Sequence, residues 1–162
     1  MKLATLLNPD HVLLDLAAGE HWDVIVELVD QLVTTGSLPA DQQPEVLEAL
    51  RTREEQVSTG IGYGVAIPHT FSEKLEKVIA VFGRSEKGVD FQAIDNSPVH
   101  LVILFIVPRK DYHLHLQTLA AIAKMFTNGE VRRRLRDAGQ REEVLEILAG
   151  KAPRPAAARE AV

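Results

Sequence analysis

The sequence predicts an α/β protein, a layered α/β/α sandwich in which helices flank a mixed central sheet. Apolar residues recur with helical spacing towards both ends of the chain, whereas two short runs rich in β-branched residues occupy its middle. The second run, "PVHLVILFIVP" from Pro98 to Pro108, is apolar at nearly every position. A strand of that kind needs cover on both faces, so helices must pack on each side of the sheet.

The first part of the chain predicts two helices. The segment "GEHWDVIVELVDQLVTTG" places apolar residues at steps of three and one from Trp22 to Val33, which is one face of an amphipathic helix that ends at Gly36. A second helix is predicted to begin with Asp41 as its N-cap and to run towards Arg53.

The middle of the chain predicts the strands. The run "KVIAVFG", from Lys77 to Gly83, precedes the long apolar run, and the residues between them, "RSEKGVDFQAIDNS", predict a turn, a short edge element and another turn. After Pro108 the helical period returns. His115, Leu119, Ile122 and Phe126 share one face, and two shorter helices follow, ended by Gly139 and Gly150.

Length and composition set limits on the kind of protein. The 162 residues suit one domain over residues 1–150, and the last segment, "KAPRPAAAREAV" over residues 151–162, is predicted to be a disordered tail. The net charge of -5 argues against a nucleic-acid partner, and "RRRLR", from Arg132 to Arg136, is interpreted as a solvated helix face. The chain has no cysteine, which excludes disulfides, thiolate metal sites and a cysteine nucleophile.

The sequence also predicts a cytoplasmic protein that is not inserted in a membrane. The first residues, "MKLATLLNPDHVLLDL", are interrupted by Pro9 before a signal-like apolar run develops. The longest apolar run, "VHLVILFIV" from Val99 to Val107, is too short to cross a bilayer as a helix.

A candidate reactive histidine, His69, stands in the stretch "STGIGYGVAIPHTF" from Ser58 to Phe71. A neutral imidazole is a usable nucleophile and titrates near neutral pH. Pro68 fixes its own φ and biases Ile67 towards an extended conformation, so the strand "GVAI" should end at the histidine. A side chain at a strand end is placed for reaction, although a structural histidine is the alternative interpretation.

The glycines before His69 form a second candidate feature. Their spacing matches neither the dinucleotide fingerprint nor the P-loop, so no nucleotide is expected. They indicate either turns at a strand edge or a flat surface that a partner approaches closely. The candidate surface residues of this loop are Thr59, Gly60, Ile61, Gly62 and Tyr63.

Two further candidates are His115 and Arg53. His115 lies near the start of its predicted helix, where backbone N–H groups favour an anion, whereas His113 points elsewhere around the helix. The planar guanidinium of Arg53 matches a phosphoryl group. Each residue also has a structural alternative when it is considered alone. His115 could be a helix-start residue that is hydrogen-bonded to a carbonyl, and Arg53 could be a cation that stabilises a helix end. A metal site is not predicted, because the histidines lack a metal-binding spacing.

These stretches resemble a known family. The glycine loop that runs into "IPH", the segment "GRSEKGVDFQAIDNSPVHLVILFIVP" and the segment "HLQTLAAIAKMF" are similar to enzyme IIA of the bacterial phosphoenolpyruvate-dependent sugar phosphotransferase system. The branch is the fructose/mannitol type, with greatest similarity to the nitrogen-regulatory enzyme IIA proteins. The resemblance covers about Leu3 to Leu148.

The resemblance implies a histidyl phosphocarrier with no metal and no nucleotide cofactor. His69 matches the histidine that accepts a phosphoryl group from the phosphocarrier HPr, His115 matches the second active-site histidine, and Arg53 matches the arginine that helps to hold the group. Ile61 and Tyr63 would help to form the surface where a carrier protein docks.

The resemblance leaves two roles open. In the first, the protein is a regulator of the nitrogen-regulatory kind whose phosphorylation state changes which proteins it binds. In the second, it is a sugar-uptake component that passes the phosphoryl group to enzyme IIB of a fructose/mannitol-type permease. The sequence contains neither a IIB nor a membrane IIC segment, which favours the regulator.

Overall fold

A computed structural model describes residues 3–56 and 58–150, and the predicted tail lies outside the described residues. These described residues form five α-helices: α1 (His21–Thr34), α2 (Gln43–Gln56), α3 (Tyr112–Met125), α4 (Gly129–Asp137) and α5 (Arg141–Leu148). The same part of the chain contains six strands: β1 (Val12–Leu13), β2 (Gly60–Gly62), β3 (Val65–Ala66), β4 (His69–Ser72), β5 (Ile79–Val89) and β6 (Val99–Pro108). Short 3-10 turns precede β1, α2 and α3.

The strands form one mixed sheet centred on β6. Its order is β1-β5-β6-β3-β2, and β4 continues alongside β6 beyond β3. β5 runs antiparallel to β6, whereas β3 and β4 run parallel to it and β1 runs parallel to β5. The predicted mixed sheet between helices is therefore confirmed.

The central strand β6 has two buried faces, as its continuous apolar sequence predicts. Leu101, Ile103 and Phe105 alternate along one face and join a core that includes Ile122, Phe126 and Leu135 of the later helices. Their neighbours on the strand point the other way and pack with α1 and α2; they are Val102, Leu104 and Ile106. The sheet thus separates two hydrophobic cores, and each is covered by one layer of helices.

Most of the predicted helices are confirmed. Helix α1 ends at Thr34, and Gly36 follows with a positive φ of 80°. The two short helices α4 and α5 lie where the sequence places them. Asp41 is not the N-cap of α2, because residues Ala40–Gln42 form a 3-10 turn after Pro39 and the α-helix begins at Gln43.

The hairpin of β5 and β6 differs from the sequence prediction. Residues after Gly83 do not form a separate edge element, because β5 continues to Val89, which pairs with Val99 of β6. The register shifts between Arg84 and Val89, which is a bulge. The bulge breaks the alternation of side chains, so the local pattern does not look like one strand.

Candidate functional site

His69 begins strand β4 at the point where the backbone turns after Pro68. β3 and β4 pair with β6 in parallel, and residues Ile67 and Pro68 interrupt them. The Pro68 carbonyl still accepts a hydrogen bond from the Phe105 N–H at 3.0 Å. His69 is therefore held opposite Phe105 of the central strand β6 while its ring remains partly exposed. The strand that the sequence predicts to end at His69 ends earlier, at Ala66, and His69 is the first residue of a further strand.

The backbone determines which nitrogen of His69 carries the proton. Nδ1 lies 2.9 Å from the carbonyl oxygen of Ile67. A carbonyl only accepts hydrogen bonds, so Nδ1 is the protonated nitrogen and the neutral ring carries its lone pair on Nε2. Burial lowers the pKa of His69 below its ordinary value, the Ile67 carbonyl opposes that shift, and the positive charge of Arg53 adds to it. The ring is accordingly neutral at pH 7.

His115 lies beside His69, as the sequence could not show from spacing alone. It is in the first turn of α3, almost completely buried, and its ring centroid is 5.8 Å from that of His69. Phe105 contacts the same ring at a centroid distance of 5.7 Å. The Nε2 atom has no hydrogen-bond partner among the described residues. Burial, with a smaller effect of His69, lowers the pKa of His115 to about 4.

Arg53 is in the last turn of α2 and is half-buried. Its charge acts on His69, because it contributes to the lowered pKa of that ring. The structure therefore brings together His69, His115 and Arg53, three candidates that are far apart in the sequence. By contrast, His113 is exposed on the same helix as His115, as its position around the helix predicts.

A chain of hydrogen bonds links the end of α2 to His69. The buried Thr59 hydroxyl donates to the Glu54 carboxylate, which follows Arg53 in the sequence. The Thr59 carbonyl accepts the Ile67 N–H at 3.0 Å, and the Ile67 carbonyl in turn accepts from His69. The sequence analysis did not identify Glu54 as part of the site, since an acidic residue near a helix end has no distinctive local signal.

The rest of the glycine loop runs away from His69. β3 pairs with β6 at Leu101, whereas His69 pairs at Phe105. Four residues of strand correspond to about 13 Å, and the Tyr63 turn lies beyond that. The Tyr63 ring is exposed and stacks under the Arg132 guanidinium at 4.6 Å. The structure thus brings Thr59 near His69 but not Tyr63.

The fold requires glycine at several positions of this loop, either for close packing or for a positive φ. A Cβ on Gly60 would lie 2.9 Å from the Ala93 Cβ, so the loop before β6 packs directly on the Gly60 backbone. Gly62 and Gly64 take positive φ values of 93° and 77° on either side of Tyr63, as a tight turn requires. Ile61, between Gly60 and Gly62, is half-buried and packs against the core that contains Phe105.

Aromatic and apolar side chains that the sequence analysis missed surround the histidine pair. Phe71 contacts His115 edge-on at a centroid distance of 5.8 Å and contacts the tilted Tyr112 ring at 5.1 Å. Tyr112 and Leu116 are both exposed, and because they are four residues apart they lie on one face of α3. Phe71 was detectable in principle, because residues two apart on a strand share a face and it follows His69 by two. The site therefore opens on an apolar surface.

Two kinds of feature, a membrane-spanning helix and a cluster of metal-ligating side chains, are absent from residues 3–56 and 58–150. No helix there has the length and apolarity needed to cross a membrane. The same residues contain no group of three or more histidine, cysteine, aspartate or glutamate side chains arranged to hold a metal ion.

The structure thus has a mixed α/β sheet with two neighbouring histidines, one on β4 and one on α3, and comparison with known proteins identifies the family. The sequence profile described as "Phosphoenolpyruvate-dependent sugar phosphotransferase system, EIIA 2" matches residues 5–151. The chain belongs to this EIIA family. The resemblance inferred from the sequence motifs is confirmed.

Relatives in this family have two kinds of name. The nitrogen regulatory protein of Bradyrhizobium diazoefficiens is 32% identical over 149 residues, which are 92% of this chain and 95% of that protein. The fructose-specific EIIABC component of Bacillus subtilis is 32% identical over 148 residues, which are 91% of this chain. The match spans only 23% of the Bacillus protein.

Solved structures of both kinds share the fold. The crystal structure of nitrogen regulatory protein IIA-Ntr from Neisseria meningitidis superposes with a TM-score of 0.83 at 32% identity, covering 90% of this chain and 98% of that chain. A complex of mannitol enzyme IIA with phosphorylated mannitol enzyme IIB from Escherichia coli gives a TM-score of 0.73 at 26% identity, covering 90% of this chain and 98% of that chain.

Proposed function

We propose that this protein is a histidyl phosphocarrier that accepts a phosphoryl group from an HPr-type protein on His69 and acts as a regulatory, nitrogen-type enzyme IIA. The observation that carries the proposal is the hydrogen bond from His69 Nδ1–H to the Ile67 carbonyl, beside the buried His115. It leaves Nε2 as the nitrogen with a free lone pair in a ring that is neutral at pH 7.

The transfer step follows from that tautomer. Nε2 of His69 forms a bond to phosphorus while the bond between phosphorus and the donor atom breaks, and the electron pair of the broken bond stays with the donor. The proton on Nδ1 remains in place, so the phosphorylated ring carries positive charge. The Ile67 carbonyl, which already accepts from Nδ1, stabilises that charge.

Arg53 and His115 would stabilise the transferring group. Phosphoryl transfer depends mainly on positioning and on stabilising the charge of the equatorial oxygens. The Arg53 guanidinium supplies a positive charge close enough to affect His69. The Nε2 atom of His115 is buried without a partner, and when it carries the ring proton it is a donor to a phosphoryl oxygen. The exposed apolar residues Tyr112 and Leu116 form a surface for the donor protein.

A second candidate function is sugar uptake, in which the phosphoryl group passes from His69 to an enzyme IIB. The similarity to mannitol enzyme IIA in its complex with phosphorylated enzyme IIB favours this candidate. The similarity to the Neisseria nitrogen regulatory protein, with its higher TM-score and identity, favours regulation. Both candidates require the same first step.

The first step is tested by incubating the protein with phosphoenolpyruvate, enzyme I and HPr. We expect an acid-labile phosphate on His69, located by mass spectrometry, with phosphorus bound to Nε2 in ¹⁵N-histidine NMR spectra. A stable unphosphorylated protein, or a phosphate on His115 or another histidine, would overturn the assignment.

The acceptor is tested with the phosphorylated protein. Regulation predicts that partners captured by the phosphorylated and unphosphorylated forms differ, and that fructose- and mannitol-type enzyme IIB domains receive no phosphate. Rapid transfer to one of these IIB domains would instead establish the sugar-uptake role.

A further inference from the structure

We propose that the protein has a second ligand site, a cleft that binds small phosphate compounds. We call it the arginine cleft and define it by six of its lining residues, Tyr63, Arg84, Ser85, His100, Arg132 and Arg136. Its volume is about 530 Å³. A cavity of this size accommodates a metabolite of ordinary dimensions.

The arginine cleft is separate from the histidine pair. It lies between α4 and the turn that joins β2 to β3, at the start of β6, where His100 is the second residue of the strand. His69 pairs with β6 at Phe105, near the other end. None of His69, His115 and Arg53 lines the cleft. The proposal therefore does not depend on the phosphocarrier function.

Arg84 places a positive charge in the wall of the cleft, and no carboxylate of the described residues forms an ion pair with it. Its Nε donates to the Leu14 carbonyl, and Nη1 donates to carbonyls at the end of α4, with the shortest distance, 2.6 Å, to Ala138. These neutral partners fix the half-buried guanidinium and leave Nη2 without an acceptor among the described residues. A fixed, partly desolvated guanidinium with a free amino group is suited to a phosphate oxygen.

Arg132 supplies a second fixed guanidinium. Its Nη1 donates to the Phe126 carbonyl at 2.7 Å, and its Cζ atom lies 4.6 Å from the centre of the Tyr63 ring. The side chain is half-buried, and no carboxylate of the described residues forms an ion pair with it. The stacked ring holds the guanidinium in place, so little entropy is lost when it binds an anion.

The backbone at Tyr63 indicates that this stacking is maintained against local strain. Tyr63 has a φ of 60°, a conformation that disfavours a bulky side chain by about 1–2 kcal/mol relative to ordinary backbone. The Asp95 carboxylate accepts the Tyr63 N–H at 3.0 Å and fixes the turn. Strained residues concentrate at functional sites, and here the strained residue directs an aromatic ring onto an arginine of the cleft.

Other polar groups of the cleft complement a phosphate. The buried Ser85 hydroxyl accepts the Gly88 N–H, which leaves its own proton available for a ligand oxygen. Three carboxylates also line the cleft, on Asp15, Glu86 and Asp137. All three are exposed, so water screens them, and Asp137 already pairs with Arg133. The charges fixed in the walls are therefore positive.

The test is a titration of the ¹⁵N-labelled protein with inorganic pyrophosphate, followed by NMR at low ionic strength. We expect shifts of the Tyr63, Gly64 and Ser85 amides and of the Arg132 side-chain signal. Arg132→Gln should raise the pyrophosphate concentration at the midpoint of the titration by at least about tenfold, the change expected when one charge-assisted hydrogen bond is lost. Arg141→Gln removes the same charge from the exposed start of α5 and should leave the midpoint unchanged.

The outcomes distinguish the cleft from the histidine site. Shifts confined to the surroundings of His69, or a midpoint that responds to Arg53→Gln and not to Arg132→Gln, would overturn the proposal. Tighter binding of citrate than of pyrophosphate would overturn the assignment to phosphates. If Arg132→Gln fails to fold, Arg136→Gln provides the same comparison at an exposed position. We expect it to raise the pyrophosphate concentration at the midpoint of the titration. An unchanged midpoint would contradict the proposed cleft.

Discussion

The imidazole rings of His69 and His115 lie 5.8 Å apart between centroids, with their planes inclined by 56°. One ring belongs to a strand that pairs with β6, and the other belongs to the helix that follows β6 and packs on the same face. Burial keeps both rings neutral at pH 7, because a charged imidazole is poorly solvated there. Two neutral imidazoles at this distance suit a nucleophile and a neighbouring hydrogen-bond donor.

We predict different losses from the two histidines. His69→Ala removes the accepting nitrogen and should abolish phosphorylation by HPr. His115→Ala removes one donor to the transferring group and should slow acceptance roughly 100-fold. The measurement is the initial rate of phosphate incorporation, with circular dichroism to confirm the fold. His113→Ala is the matched control, since it removes an exposed histidine from the same helix turn. Wild-type rates in His115→Ala would contradict the assignment.

The pH dependence of acceptance should follow the neutral form of His69. Its pKa lies below the ordinary value of 6.5, mainly through burial and partly through the charge of Arg53. Acceptance should therefore be constant above pH 6.5 and fall at lower pH, where protonation removes the Nε2 lone pair. In Arg53→Gln the pKa of His69 should rise, so the decline begins at higher pH. Histidine NMR titrations measure this directly, and a His69 pKa above 6.5 in the wild type would refute the explanation.

The free energy of unfolding should decrease as the pH falls from 6.5 to 4. In the folded protein the pKa of His115 is about 4, compared with 6.5 in the unfolded chain. Between these values the unfolded chain binds more protons, so acid destabilises the fold, by up to about 3 kcal/mol from this residue. Above pH 6.5 neither state is protonated and this dependence vanishes. Urea denaturation at several pH values measures this dependence. Between pH 4 and 6.5 the free energy of unfolding should change less with pH in His115→Gln than in the wild type, and the control His113→Gln should behave like the wild type. Equal pH dependence in the wild type and both variants would contradict the prediction.

The Thr59 hydroxyl should stabilise both the fold and the site. Thr59→Val leaves the Glu54 carboxylate without its donor and should reduce the free energy of unfolding by about 1–3 kcal/mol. Because Thr59 is linked through Ile67 to His69, the rate of phosphoryl acceptance should fall as well. Thr59→Ser keeps the hydroxyl and should restore both quantities.

A matched control for this prediction is Thr52→Val in α2, the helix that carries Glu54. That hydroxyl is exposed and donates only to the Glu48 carbonyl of α2. Its loss should change the acceptance rate little, and an equal effect of the two valine variants would argue against a specific role of Thr59.

Gly60 should not tolerate a side chain, because Ala93 occupies the space. The new methyl group of Gly60→Ala would lie 2.9 Å from the Ala93 Cβ and 3.0 Å from its Cα, so the backbone must move, at a cost of about 1–3 kcal/mol. Thermal or urea denaturation measures this loss. Gly139→Ala is the control, since nothing lies within 4 Å of its added methyl group. Adding Ala93→Gly to Gly60→Ala should recover part of the lost stability.

Much of the fold could be predicted from the sequence because its signals are local. The unbroken apolar run of β6 indicated two covered faces, and alternate residues of that strand do join two cores. The extension of β5 to Val89 could not be predicted, since it depends on pairing with β6 across a bulge. The start of α2 at Gln43 depends in the same way on the preceding 3-10 turn, where the Gln42 N–H bonds to the Pro39 carbonyl.

The sequence by itself determined the chemical groups of the candidate site and the place of His69 directly after Pro68, because residue type and backbone restriction are local properties. Only the tertiary structure decided that His115 and Arg53 meet this histidine while Tyr63 turns away to Arg132. The physical reason is that strand register and helix packing set distances between residues remote in the chain. Those distances then decide which rings are buried, which charges interact and which protonation states are populated.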